Sequence, residues 1–121
     1  MRYALLIYAS EQDWASQSEE QAQAQFQDYM SFTKDIVDRG IYQSGEALQP
    51  TATATTVRVR EGETLSTDGP FAETKEQLGG YTIVEVASLD EAIAIAVDHP
   101  LVRVGGHSIE VRPIRELPPP R

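Results

Sequence analysis

The polar side chains best suited to chemistry gather in one segment, residues 68–81. Asp68 precedes a Gly-Pro turn, where its carboxylate is either a turn former or a general base or ligand anchor at a sheet edge. Lys75 is either a solvated surface charge or an inward-facing cation that binds a substrate carboxylate, with Glu73 balancing its charge. The burial of Lys75 decides between these interpretations, since a lysine is seldom buried without a partner.

The two histidines offer a second kind of chemistry, because imidazole titrates near neutral pH. His99 is predicted to end a helix, where it is either an imidazolium favoured by the helix dipole or a proton shuttle. His107 follows the glycines at 105–106 and is predicted to be a loop residue. Two histidines eight apart, without helical or strand spacing, do not indicate a metal site. No nucleotide motif is present either, so we expect neither a metal nor a cofactor.

Aromatic residues near the N-terminus are candidates for a pocket wall. Trp14 precedes the first predicted helix. It is expected either to pack at the entry of that helix or to cover a ligand pocket as a flat lid, with Tyr8 beneath it.

Size and charge limit the class of protein. At 121 residues the chain is predicted to form one domain over residues 1–116, followed by a Pro-rich tail at 117–121. It has no cysteine, which excludes disulfides and thiolate sites. The apolar run at residues 3–8 is too short for a membrane span and lacks the layout of a signal peptide, so we expect a cytoplasmic protein. A net charge of −9 argues against direct nucleic-acid binding.

Hydrophobic periodicity predicts the elements that position these residues. A helix is expected to start at Ser16 or Ser18, where capping-box spacing occurs, and to end at Gly40. Residues at three- and four-residue steps are predicted to form its apolar stripe: Ala22, Phe26, Tyr29, Met30, Thr33, Ile36 and Val37. A second helix starts at Ser88 and stops before Pro100, and residues 10–17 are predicted to be a loop. Strands are predicted at residues 2–8, 41–47, 55–60, 64–67, 81–86 and 108–114.

The order of these elements predicts an α+β fold. It corresponds to a ferredoxin-like split βαβ unit with an antiparallel sheet and an extra β-hairpin. In the hairpin, Val57 and Val59 alternate with arginines, which predicts one buried face. The sheet face without helices also carries apolar residues, so we expect a homodimer that packs sheet against sheet.

The run Asp68-Gly69-Pro70-Phe71 through Gly79-Gly80-Tyr81 resembles the signature of the DGPF-domain proteins, a branch of the YCII-related family. That family is part of the dimeric α+β barrel superfamily. The likeness covers nearly the whole chain and also includes residues 3–8, 45–48, 54–58 and 109–113. The resemblance implies the same fold and the same dimer as the periodicity.

The resemblance also implies candidate site residues. Some members of the wider family use a histidine–aspartate pair for small-molecule chemistry, including removal of halide from a muconate-like acid. Their histidine lies about three turns before the glycine that ends the first helix, a position that Tyr29 holds here. Their aspartate precedes a proline after the second helix, where this chain has His99 and Pro100. The pair is therefore absent in its usual form.

These observations support one hypothesis and one alternative. In the hypothesis, a small anionic or carbonyl-bearing metabolite binds between sheet and helices, bordered by Tyr8, Trp14 and Tyr29. Lys75 orients it, and Asp68 or His99 moves a proton in a cofactor-free isomerisation or elimination. In the alternative, the chain is a non-catalytic ligand-sensing or accessory dimer that acts with a sigma factor or another regulatory protein. The resemblance suggests the sigma factor, because genes of DGPF proteins often adjoin sigma-factor genes.

Overall fold

A computed structural model describes residues 1–103 and 107–120. The glycine pair at 105–106, predicted to be a loop, and the C-terminal Arg121 lie outside these residues. The elements in chain order are β1 (Arg2–Ala9), α1 (Glu11–Ala15), α2 (Glu19–Asp38), β2 (Tyr42–Ala47), a 3-10 turn (Thr51–Thr53), β3 (Thr55–Arg60), β4 (Glu63–Asp68), β5 (Gln77–Glu85), α3 (Leu89–Asp98), α4 (Pro100–Arg103) and β6 (Ser108–Pro113). None of the described helices is long and apolar enough to cross a membrane.

The strands form one four-stranded sheet and one separate hairpin. The sheet has the order β2-β5-β1-β6, and every neighbouring pair in it is antiparallel. Strands β3 and β4 pair only with each other. Without the hairpin, this topology is that of a ferredoxin-like split βαβ unit, which confirms the predicted fold class.

The core lies between the sheet and the two longer helices. Residues alternate along β1, so that Tyr3, Leu5 and Ile7 are buried beneath the helices. Leu5 and Val84 on adjacent strands have no exposed surface, and Ile36 of α2 is only 1% exposed. Ala92, Ile95 and Ala96 of α3 complete this cluster.

Local capping signals fix where the helices begin. At α2 the Ser18 side chain accepts a hydrogen bond from the Gln21 N–H, and the Gln21 side chain accepts one from Ser18 in return. This is a complete capping box, and it confirms the later of the two predicted starts. At α3 the Ser88 hydroxyl caps as predicted, but the Glu91 carboxylate accepts from the Ala87 N–H instead.

The structure overturns two details of the predicted burial. Val57 and Val59 of the hairpin are 61% and 71% exposed, because the hairpin does not pack its valine face onto the four-stranded sheet. The predicted apolar stripe of α2 is also too wide, since Phe26 and Met30 are at least half exposed. The helix packs against the core through Ile36 and Phe32 instead.

A glycine in β5 permits close pairing with β2, and this generates a stability prediction. A Cβ added at Gly80 would lie 2.8 Å from the Glu46 carbonyl oxygen, whereas one added at Gly79 would meet nothing nearer than 3.9 Å. We expect Gly80→Ala to lower the free energy of unfolding by about 1–3 kcal/mol through overpacking. The matched control Gly79→Ala should cost nothing, and urea unfolding of both variants measures the difference. Equal stabilities for the two would contradict this account of the strand pairing.

Candidate functional site

An apolar cavity lies between the helix-covered face of the sheet and α1, α2 and α4. Its volume is about 340 Å³, within the range of small-molecule sites. Ile7 and Ala9 of β1 border it from the sheet side, because alternate residues of a strand face the same way. The helices contribute Trp14, Phe26, Tyr29, Pro100 and Leu101.

A β-bulge shapes the sheet side of this cavity. Ile7 pairs with Gly80 and Tyr8 pairs with Leu78, so Gly79 is left without a partner on β1. Bulges bend a strand and are frequent beside functional sites. Both glycines border the cavity, and their lack of side chains leaves space above the sheet.

His99 is a buried polar residue that does not itself border the cavity but contacts two residues that do, Tyr29 and Leu101. It follows α3 and has no exposed surface. Its ring centroid lies 4.9 Å from that of Phe32 and 5.9 Å from that of Tyr29. Its Nδ1 accepts a hydrogen bond of 3.2 Å from the Leu101 N–H. Its Nε2 finds no hydrogen-bond partner among the described residues.

The surroundings of His99 set its charge. Burial of the ring, and then the neighbouring His107, lower its pKa from 6.5 to about 4, because a low-dielectric interior disfavours the charged form. The ring is therefore neutral at neutral pH, against the interpretation of an imidazolium at the helix end. Since Nδ1 accepts a hydrogen bond, the single proton resides on Nε2. His99 is thus a hydrogen-bond donor at neutral pH, and its predicted role in moving a proton stays a prediction.

The structure brings together some of the predicted site residues. Tyr29 and His99 occupy the two positions that the resemblance relates to a histidine–aspartate pair, and their rings lie side by side. Trp14 and Tyr29 border the same cavity. Tyr8 does not lie beneath Trp14, because it alternates with Ile7 and Ala9 and faces the other side of the sheet.

The charged candidates lie elsewhere. Glu73 and Lys75 are exposed and border a separate, open hollow of about 830 Å³. Asp68 is exposed at the end of β4 and borders none of the described hollows. Asp68, Lys75 and His99 therefore do not share one cavity, and the exposure of Lys75 agrees with a solvated charge.

Sequence reasoning missed Glu11 and Gln77, which border this cavity and two neighbouring hollows. Glu11 was missed because residues 10–17 were predicted to be a loop, whereas residues 11–15 form α1. Gln77 was missed because the strand was predicted to begin at residue 81, whereas β5 begins at Gln77. A signal was present, since Ser10 and Asp13 have the spacing of a capping box. The Ser10 side chain does accept from the Asp13 N–H.

No group of three or more metal-binding side chains occurs within residues 1–103 and 107–120. The histidines thus lack the additional ligands that a typical zinc site requires. The absence of a cofactor stays a prediction.

Two comparisons place the chain among known proteins. The sequence profile of the YCII-related domain matches residues 1–118. An uncharacterized protein of Rhizobium meliloti (strain 1021) is 40% identical over 114 residues, which make up 94% of this chain and 92% of that protein. The profile match includes every residue that borders the apolar cavity.

The charge state of His99 predicts how stability depends on pH. Between pH 6.5 and about 4 the unfolded chain binds a proton at His99 and the folded chain does not. Protonation then favours the unfolded state, so stability falls as pH falls through this window. We expect His99 to contribute a loss of about 2 kcal/mol between pH 7 and pH 5.

Urea unfolding of the wild type and His99→Gln at these two pH values measures the contribution. The variant should lose less stability than the wild type on acidification by about that amount. Parallel pH profiles for the two proteins would show that the folded ring binds its proton as readily as the unfolded one.

Proposed function

The chain belongs to the YCII-related family, and from that premise we propose that it binds a small, uncharged, carbonyl-bearing organic molecule in the apolar cavity. One observation carries the proposal: the buried, neutral His99 has an Nε2–H donor without a partner among the described residues. An unsatisfied buried donor is costly, and a carbonyl oxygen would satisfy it. Tyr29 and Leu101, which contact His99, both border the cavity. His99 itself does not border the cavity, so the proposal requires the Tyr29 side chain to move aside when a ligand binds.

The composition of the cavity wall supports an uncharged ligand. Its aromatic side chains come from Trp14, Phe26 and Tyr29, and its charged members among the described residues are the carboxylates Glu11 and Glu46. A carboxylate ligand would find no cation there and would be repelled by both side chains. This favours the carbonyl-bearing half of the hypothesis over the anionic half.

Ligand binding is tested with a thermal-shift panel of uncharged ketones and lactones, alongside the carboxylates that match them in shape. A true ligand at about a hundred times its dissociation constant should add about 2.7 kcal/mol of stability to the wild type. In Ala9→Leu a larger side chain fills part of the cavity, so the shift should disappear. Ala72→Leu is the matched control, because Ala72 borders only a neighbouring hollow, and it should keep the shift.

Two results would contradict the proposal. One is a response to carboxylates alone. The other is a ketone response that survives Ala9→Leu, because the binding site would then lie outside the apolar cavity.

The same geometry favours ligand sensing over proton transfer. A histidine with a pKa of about 4 is a weak base, and Asp68, the other residue predicted to move a proton, does not border the cavity. We therefore propose that the protein senses a ligand. The proposal that a sigma factor is its partner rests on the family resemblance alone. The hypothesis of enzymatic proton transfer would be supported instead if the protein catalysed exchange of ligand hydrogens for deuterium and His99→Gln lost this exchange.

The uncovered face of the sheet supports the proposed homodimer. Ala4, Leu6 and Tyr8 alternate with the buried residues of β1 and so point away from the helices. Ala4 lies opposite Ile83 and Leu6 opposite Tyr81, and cross-strand partners share a face. This apolar face is continuous across the two central strands, and a second copy of the chain would cover it.

Light scattering after size exclusion tests the dimer. We expect twice the chain mass of 13.4 kDa at micromolar concentration, and the mass of one chain for Leu6→Lys, since a buried unpaired charge is costly. Val59→Lys, on the exposed hairpin, should stay dimeric. A monomeric wild type, or a dimer that survives Leu6→Lys, would refute the sheet-to-sheet interface.

A further inference from the structure

Glu11 connects the short helix α1 to two distant parts of the chain. Its carboxylate accepts hydrogen bonds of 2.7 Å from the N–H and from the hydroxyl of Thr51. Its own N–H donates to the Gln77 side-chain oxygen at 2.9 Å. Bonds to an ionised carboxylate are stronger than neutral ones, so Glu11 joins α1 firmly to the 3-10 turn and to β5.

Helix α1 has little else to hold it in place. It is five residues long and buries none of them. Trp14, three residues after Glu11, borders the apolar cavity and packs edge-on against His107 at a centroid distance of 6.3 Å. A segment with so little burial opens at a low cost in free energy, so the position of Trp14 depends on the bonds of Glu11.

Glu11 also lies between the apolar cavity and an open, polar hollow. Glu11 and Gln77 border both the apolar cavity and the open hollow that contains Lys75. Lys75 itself does not border the apolar cavity. With Glu11 bound to Thr51 and Gln77, α1 lies between the apolar cavity and the hollow that contains Lys75.

We infer that Glu11 is a positioning residue, which holds α1 through Thr51 so that Trp14 forms the wall of the apolar cavity. The inference rests on the proposed function, because a fixed cavity wall has a role only if a ligand binds in the cavity. Its structural content stands apart from any ligand, because the position of Trp14 can be measured in the free protein.

Substitutions of Thr51 separate the positioning role from general stability. Thr51→Val keeps the shape of the side chain and removes the hydroxyl that Glu11 accepts, while Thr51→Ser keeps the hydroxyl. Trp14 is the one tryptophan of the sequence, so its fluorescence reports on α1 alone. Quenching by acrylamide measures its exposure in each ligand-free variant.

Trp14 is already 45% exposed, so release of α1 can raise its quenching constant by up to about twofold. We expect a rise toward that limit in Glu11→Ala, which removes both bonds from Thr51. Thr51→Val keeps the bond from the backbone N–H, so its rise should be smaller, and Thr51→Ser should show wild-type quenching. Far-UV circular dichroism and thermal unfolding confirm that each variant is folded. Unchanged quenching in folded Glu11→Ala, or in folded Thr51→Val if Glu11→Ala is too unstable to measure, would overturn the inference.

A ligand arm distinguishes this inference from the proposed function. The ketone or lactone that gives the largest thermal shift with the wild type serves as the probe for the Thr51 variants. We expect its apparent affinity to fall in Thr51→Val by the fraction of molecules in which α1 is released, and to recover in Thr51→Ser. If no compound shifts the wild type, the proposed function fails, and the quenching data still decide the role of Glu11.

Discussion

The alternation of side chains along β1 is the constraint on which the rest of this structure depends. Its odd-numbered residues Tyr3, Leu5 and Ile7 are buried under the helices, and Ile7 and Ala9 continue the same row into the apolar cavity. Its even-numbered residues occupy the opposite face, where none of the described helices covers them. One strand therefore defines the core, the sheet side of the cavity and the face available to a second copy. A register slip by one residue would exchange these roles.

The cavity and its neighbour His99 result from the β-bulge and glycine pair of β5 and from the break between α3 and α4. The bulge at Ile7 and Tyr8 leaves Gly79 unpaired, and the glycine pair removes side chains from the sheet side of the cavity. The break between α3 and α4 places His99 in the core, where its Nδ1 is occupied by the Leu101 N–H. Burial then keeps the ring neutral with its proton on Nε2. His99 is consequently a hydrogen-bond donor that contacts two residues of the cavity wall, and this supports the proposed recognition of a carbonyl group.

The sequence was sufficient to predict the fold because the fold follows from local patterns. Strand alternation, the Ser18 and Ser88 caps and the proline after the second helix each act within a few residues, and together they specify a ferredoxin-like topology. The prediction that Val57 and Val59 are buried was wrong because burial depends on tertiary packing. An alternating strand predicts a buried face only if something packs on it, and the hairpin leaves its valine face exposed.

The candidate site was predictable in its residues but not in their arrangement. Tyr29, Trp14 and His99 were all candidates. The charge of His99, however, depends on burial against Phe32 and Tyr29, which are distant in sequence, and on the neighbouring His107. The segment from Asp68 to Lys75 looked like the chemical centre, yet Asp68 and Lys75 lie exposed outside the cavity. A motif of charged and turn-forming residues predicts where the chain turns. Tertiary packing decides which of its side chains are buried, and the motif does not specify that packing.

The central claim is that His99 is a neutral donor poised beside a ligand cavity, and nitrogen NMR of the imidazole rings tests it most directly. With ¹⁵N-labelled histidine, the account predicts that His99 is in the Nε2–H tautomer at neutral pH and titrates near pH 4. Addition of a binding ketone should shift the Nε2 resonance as a hydrogen bond forms. A His99 that titrates near its ordinary pKa of 6.5, or an Nε2 signal that stays unchanged when such a ketone binds, would contradict the account.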